Sequence, residues 1–186
     1  MAIREPGVTH AISDTGPLVS IFQSDSLDLV TTLLPVIHIP PACVEELMRH
    51  GWSEALQSAH SRIETHFLTE AEKEMAWTIA RAIALHPLSR DPVPDNHLGE
   101  AQTMALATRP EFANDVLLLD ELAARAVAEE IGLTLSGFAG VLLVAVQEGL
   151  LTAEELRRRL KTCQRLGTRY SEAFIEQVYL VAREKR

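Results

Sequence analysis

Four acidic positions in this chain could act together: Asp14, Glu46, Glu100 and the adjacent pair Asp120-Glu121. Each alone is ordinary, since an acid early in a helix complements the helix dipole and an acid after a strand is a common turn former. Convergence would change their chemistry. Two carboxylates about 5 Å apart at an effective dielectric near 20 repel by roughly 3 kcal/mol, so a cluster of four resists ionisation unless a cation joins it. Hard oxygen donors in a partly hydrated pocket suit Mg2+ or Mn2+, which would offset the repulsion, orient a phosphodiester and acidify an attacking water.

The elements that must position these acids can be read from periodicity and turn chemistry. Residues 8–13 (VTHAIS) predict a strand, and Asp14-Thr15-Gly16-Pro17 supplies a turn with a proline suited to a helix's first turn, leading into a short helix over 18–22. Ser26 is expected to cap a helix over 27–34, residues 36–39 form a second strand, and Pro40-Pro41 open a helix through Met48 that Gly51 stops. Residues 62–68 alternate as a third strand, and Thr69 caps a helix over 70–85. The proline-rich stretch 86–96 reads as a loop, followed by a helix over 98–108, a buried strand at 115–119, a helix over 123–131 and a short strand at 133–135. Helices at about 138–148, 153–163 and 171–184 complete the chain. Strands alternating with helices imply a three-layer α/β/α fold with a mainly parallel central sheet, in which ligands bind outside the carboxyl ends of the strands where strand order reverses. Asp14 and Asp120 each follow a strand, which puts both at that edge.

Bulk properties narrow the classes. At 186 residues, with 47% apolar and 23% charged side chains, the chain fits one globular core. Cys43 and Cys163 stand far apart with no metal-ligand spacing, which speaks for a reducing, cytoplasmic setting and against a disulfide scaffold. The longest uncharged apolar stretch, 133–146, is too short to span a membrane, and the first residues show no signal-peptide pattern. Charge is unevenly placed: of the net −9, residues 157–186 hold nine Lys or Arg against three acids, while the first 156 residues hold eight against 23. An acidic metal-binding body with a basic, phosphate-contacting end fits this asymmetry, with Arg158 and Lys161 as candidates for one patch; a solvated helix face is the plain alternative.

Competing chemistries lack their parts. Asp14-Thr15-Gly16 matches the aspartic-protease tripeptide, but only one copy exists and it precedes a helix. No glycine-rich phosphate loop occurs, and neither Ser13 nor Ser136 lies in a nucleophile elbow. The seven histidines show no H-x-x-x-H spacing, so structural or surface roles are expected for them rather than a zinc site.

The segments SDTGPLVSIFQ, VIHIPPACVEEL, LGEAQTMALA and LLLDELAARAVAEEIGLTLSGFAGVLLVA, in this order, resemble the PIN domain, in particular a prokaryotic PIN-like subgroup related to the VapC-type toxins of toxin-antitoxin pairs. The resemblance covers about residues 8–150, implying a PIN-like nuclease domain over 1–150 with a C-terminal helical extension over 151–186 packed on it. It implies a metal-dependent endoribonuclease holding Mg2+ or Mn2+ through Asp14, Glu46, Glu100 and either Asp120 or Glu121, with Thr15 as a hydroxyl neighbour of the first ligand. Relatives of the subgroup commonly carry two adjacent aspartates where this chain has Asp120-Glu121. Arg125 matches an arginine often seen in the subgroup, and either steadies the acidic cluster or contacts phosphate. RNA as substrate, a small antitoxin protein as partner and a homodimer as assembly are the associated expectations. A PIN-like fold that has lost catalysis and serves as a binding or regulatory module is the alternative.

Overall fold

A computed structural model describes residues 8–184. The chain runs β1 (Ala11–Ser13), α1 (Thr15–Gln23), α2 (Leu27–Leu33), β2 (Ile37–Ile39), α3 (Pro41–Arg49), α4 (Ser53–Ser58), β3 (Ile63–Thr65), α5 (Glu70–Leu85), α6 (Leu98–Ala107), β4 (Val116–Leu118), α7 (Leu122–Glu130), β5 (Leu135–Ser136), α8 (Phe138–Gln147), α9 (Ala153–Arg165) and α10 (Glu172–Glu184). The five strands form one all-parallel sheet in the order β3-β2-β1-β4-β5. After β1 the chain winds outward through β2 and β3, then returns to the other side of β1 with β4. Strand order therefore reverses between β1 and β4, the place where a ligand crevice forms at the carboxyl edge.

Alternation along the short strands feeds two cores. Ala11, Ile37, Ile39, Ile63 and Leu118 face a layer built by α1, α3, α8, α9 and α10, with Leu18, Leu47, Phe138, Leu142, Leu156 and Ile175 buried among them. Ile12, Leu117 and Leu119 face the opposite layer of α5, α6 and α7, packing on Ile83, Met104 and Ala124. The three-layer arrangement expected from the sequence is thus observed. Leu160 and Cys163 of α9 and Val178 of α10 belong to the same buried cluster as Leu18 and Ile21 of α1.

Helix α4 (Ser53–Ser58) is given no range in the sequence reading; the other differences lie at element ends. Helix α1 starts at Thr15 rather than at residue 18, because Asp14, extended at φ −76° and ψ 170°, caps it. Ser26 makes no side-chain cap; its ψ of 5° is far from the extended value of a capping residue, and its hydroxyl bonds Ser24 Oγ at 2.7 Å instead. β3 stops at Thr65 because β2, its only neighbour among the described residues, ends at Ile39, whose carbonyl takes the last bond from His66 N–H at 2.9 Å. Within the expected loop 86–96, a 3₁₀ turn begins at Pro94 and runs to His97. Thr69 forms its capping box with Glu72, as its sequence position implies. Among the described residues no helix is long and apolar enough to cross a membrane.

Candidate active site

Asp14 is placed by three constraints. Its N–H donates to Leu118 O at 3.1 Å, joining it to the end of β4; its Oδ2 accepts the Gly16 N–H at 3.3 Å; and the Cys43 thiol of α3 points at its Oδ1 at 3.8 Å. The carboxylate is only 7% exposed. Glu46 comes from α3, which Pro40 and Pro41 start immediately after β2, while its neighbour Glu45 faces solvent. Glu100 lies in the first turn of α6.

Two of these acids, Asp14 and Glu46, meet at Gly99, and Glu100 is the next residue along α6. A Cβ on Gly99 would lie 3.3 Å from Asp14 Oδ1 and 3.4 Å from Glu46 Oε2, so the absence of a side chain there leaves the carboxylates room to approach the start of α6. Burial, then the charges of Glu100 and Glu46, raise the Asp14 carboxyl well above its ordinary range, against the pull of the Thr15 and Gly16 N–H groups. Glu100 is pushed up to about 7, first by burial and then by the charges of Glu46 and Glu121. Asp14, Glu46, Glu100 and Glu121 therefore share one electrostatic pocket. Thr15 Oγ1, next to Asp14, is buried beside the Cys43 thiol, with which it interacts. Crowded, largely buried carboxylates beside a glycine wall are a donor set that fits a hard dication.

The adjacent pair after β4 splits its roles. Asp120 is held on both oxygens: its Oδ2 accepts the Tyr170 hydroxyl at 2.8 Å and its Oδ1 accepts Phe138 N–H at 3.1 Å. Burial raises its carboxyl, and the Tyr170 bond, the Phe138 bond and the Arg125 charge each oppose that rise. Gly137 makes this posture possible, since a Cβ there would stand 2.5 Å from Asp120 Oδ1. Glu121 instead caps α7, accepting Ala124 N–H at 2.6 Å, and its charge is felt by Glu100. Arg125 donates from Nη1 to Leu119 O at 2.8 Å, which braces the end of β4.

The sequence matches the PIN domain family over residues 10–184. The chain belongs to the PIN-domain family. No curated protein and no solved structure shows a significant match. PIN domains are generally nucleases that use divalent metal ions. The match runs through α9 and α10, beyond the segments that carry the sequence resemblance, and the α9–α10 connection supplies Tyr170 to the edge of the site. Tyr170 itself leaves no trace in the sequence pattern, lying 50 residues from Asp120 with no motif linking them.

The expected basic patch is divided. Arg157 pairs with Glu176, and Lys161 Nζ pairs with Glu172 at 2.8 Å, stitching α9 to α10. Arg159 reaches the other way, donating to Ser24 O at 2.6 Å and Asp25 O at 2.8 Å. Arg158 stays exposed, and Lys185 and Arg186 lie outside the described residues.

Proposed function

We propose that this PIN domain is a metal-dependent endoribonuclease in which Asp14, Glu46, Glu100 and Glu121 form the site for Mg2+ or Mn2+. The observation that supports it is the convergence of Asp14 and Glu46 on Gly99, beside Glu100, at the reversal between β1 and β4. When bound, a hard dication neutralises the carboxylates, orients a phosphodiester and lowers the pKa of its water. The chain's own groups supply the rest. The Gly16 N–H and the Cys43 thiol fix the Asp14 carboxylate in place, and Ala124 N–H does the same for Glu121. Thr15 Oγ1 offers a further polar contact at the pocket wall. Arg125 and Asp120 hold the end of β4 rigid rather than meeting the substrate directly.

Resemblance to the VapC-related subgroup supports a role as the toxin of a toxin-antitoxin pair in the cytoplasm, with a small antitoxin setting an Arg or Lys side chain among the carboxylates. A cation there replaces the metal's charge without activating water. A second reading, a catalytically degenerate binding module, is favoured by one observation: Asp120 is committed to Tyr170 and Phe138 rather than to the pocket. Cleavage of RNA by the purified chain separates the two. The nuclease reading requires cleavage with Mg2+ or Mn2+ that stops in EDTA, and the module reading requires none under either condition.

A further inference from the structure

Away from the acidic pocket, three histidines that are 28 residues apart in sequence form one diagonal row across the sheet. His10 precedes β1, His38 is the middle residue of β2 and His66 follows β3. The parallel register sets His38 opposite both Ile12 and Glu64, so the row lies on the sheet face that carries Ile12. His10 Nδ1 is 3.0 Å from His38 Nε2, and His38 Nδ1 is 2.9 Å from His66 Nε2. Glu64 Oε2 closes the figure, at 3.7 Å from His38 Nδ1 and 3.7 Å from His66 Nε2.

Three donor atoms thus form a closed triangle: His38 Nδ1, His66 Nε2 and Glu64 Oε2. A tetrahedral ion with bonds of about 2.0–2.1 Å needs ligand atoms about 3.3 Å apart, and the observed 2.9, 3.7 and 3.7 Å straddle that edge. We propose that His38, Glu64 and His66 bind a transition dication of the zinc class, separately from the acidic pocket. Two imidazoles and one carboxylate are the ligand set such ions prefer over Mg2+, and three protein ligands leave a fourth position for water.

The surroundings suit that role. A single tautomer of His38 serves, with Nε2–H donating to His10 Nδ1 and Nδ1 bare toward the ion; the donated bond orients the ring as outer partners of metal-bound histidines do. His10 is in turn held by its N–H to Asp115 Oδ1 at 2.8 Å. Phe112 backs the site, its ring centroid 4.7 Å from that of His38 and 5.4 Å from that of His66. The nearby Arg109 is bound to Glu72 at 2.6 and 2.9 Å, so its charge is matched. Glu64 and His66 side chains are 46% and 24% exposed, which gives an ion a way in from solvent. As the ion binds, the hydrogen bond between His66 and His38 breaks: neutral His66 changes to its Nδ1–H tautomer, giving the Nε2 proton to solvent and taking one at Nδ1, and a metal–nitrogen bond forms at Nε2. Glu64 and His66 lie two strands from β1, about 10 Å across the sheet, so the two sites do not share ligands.

Calorimetric titration of the full chain with Zn2+ in a large excess of Mg2+ tests the proposal, with Co2+ absorption reporting coordination geometry. One equivalent should bind with a tetrahedral Co2+ spectrum, and His66→Ala and Glu64→Ala should each weaken it by at least tenfold. His66→Gln, which preserves size and polarity, should weaken it as well, while Asp14→Asn should leave it unchanged. Absence of a Zn2+ equivalent in the wild-type chain, equal affinity in the His66 variants, or loss in Asp14→Asn would each overturn it.

Discussion

Tyr170 donates a hydrogen bond to Asp120 Oδ2 at 2.8 Å, joining the turn between α9 and α10 to the end of β4 across 50 residues of sequence. The same hydroxyl lies 3.2 Å from Ser20 Oγ of α1, so one phenol connects the C-terminal helices, the central sheet and the first helix. Burial and the Asp120 charge both raise the Tyr170 hydroxyl, which keeps it protonated as the donor. Tyr170→Phe removes that donor and leaves a buried carboxylate oxygen short of a partner, at a cost of about 1–3 kcal/mol. Urea unfolding of the two proteins at neutral pH measures it, and equal midpoints would mean that the bond contributes nothing net.

Gly137→Ala addresses the same carboxylate from the other side. The backbone at Gly137, with φ −123°, accepts any residue, so the penalty comes from the contact alone: the new Cβ would stand 2.5 Å from Asp120 Oδ1 and 3.3 Å from Leu119 O. Displacing Asp120 breaks its bond to Phe138 N–H, and the variant should unfold at a lower temperature by several degrees. An unchanged melting temperature would show that Asp120 can move freely.

Without metal, the crowded acids should make stability fall as pH rises. Asp14 is raised and Glu100 is pushed up to about 7, so between roughly pH 4.5 and 7 the folded chain binds more protons than the unfolded one. That stability is present at low pH within this window and is lost as pH climbs through the folded value. In EDTA, the melting temperature should therefore drop from pH 5.5 to pH 8, and Glu100→Gln should flatten the slope. A Glu100→Gln chain with the same slope as the wild type would contradict the shared pocket.

Arg158 and Lys161 call for separate tests. Lys161 is paired with Glu172, whose carboxyl it holds below the ordinary range, whereas Arg158 is exposed. Lys161→Gln should loosen α10 only slightly, because solvent screens so exposed a pair. If α9 contacts RNA, Arg158→Gln should weaken binding and flatten its salt dependence without changing stability. Unchanged RNA binding in Arg158→Gln would leave the helix as a solvated, ion-paired face.

Much of this architecture is legible in the order of residues alone. Asp14 follows an apolar strand and precedes a proline at a helix start, and that local chemistry puts it at the carboxyl edge. Glu46 can be told from Glu45 by helical phase, and Glu45 is indeed the solvent-facing one. Relations set by tertiary register stay hidden at that level. The contacts that hold Asp120 depend on Tyr170 and Gly137, neither of which lies near it in sequence. The histidine row is the clearest case: no helical ligand spacing exists because one residue comes from each of three successive strand regions, and only the parallel register brings them together. Basic residues of α9 read as a phosphate patch, yet acids from α10 take up Arg157 and Lys161, a pairing that depends on how the two helices cross.

The central claim is that Asp14, Glu46 and Glu100 act as one metal-holding site for RNA hydrolysis. Its most direct test is RNA cleavage with Mg2+ or Mn2+ by the wild type and by Asp14→Asn, which keeps the side chain's shape and its cap on α1 while removing the charge. The account predicts a loss of at least 100-fold in Asp14→Asn with the fold intact, a similar loss in Glu46→Gln and little change in Glu45→Gln. Cleavage by Asp14→Asn at the wild-type rate would contradict it.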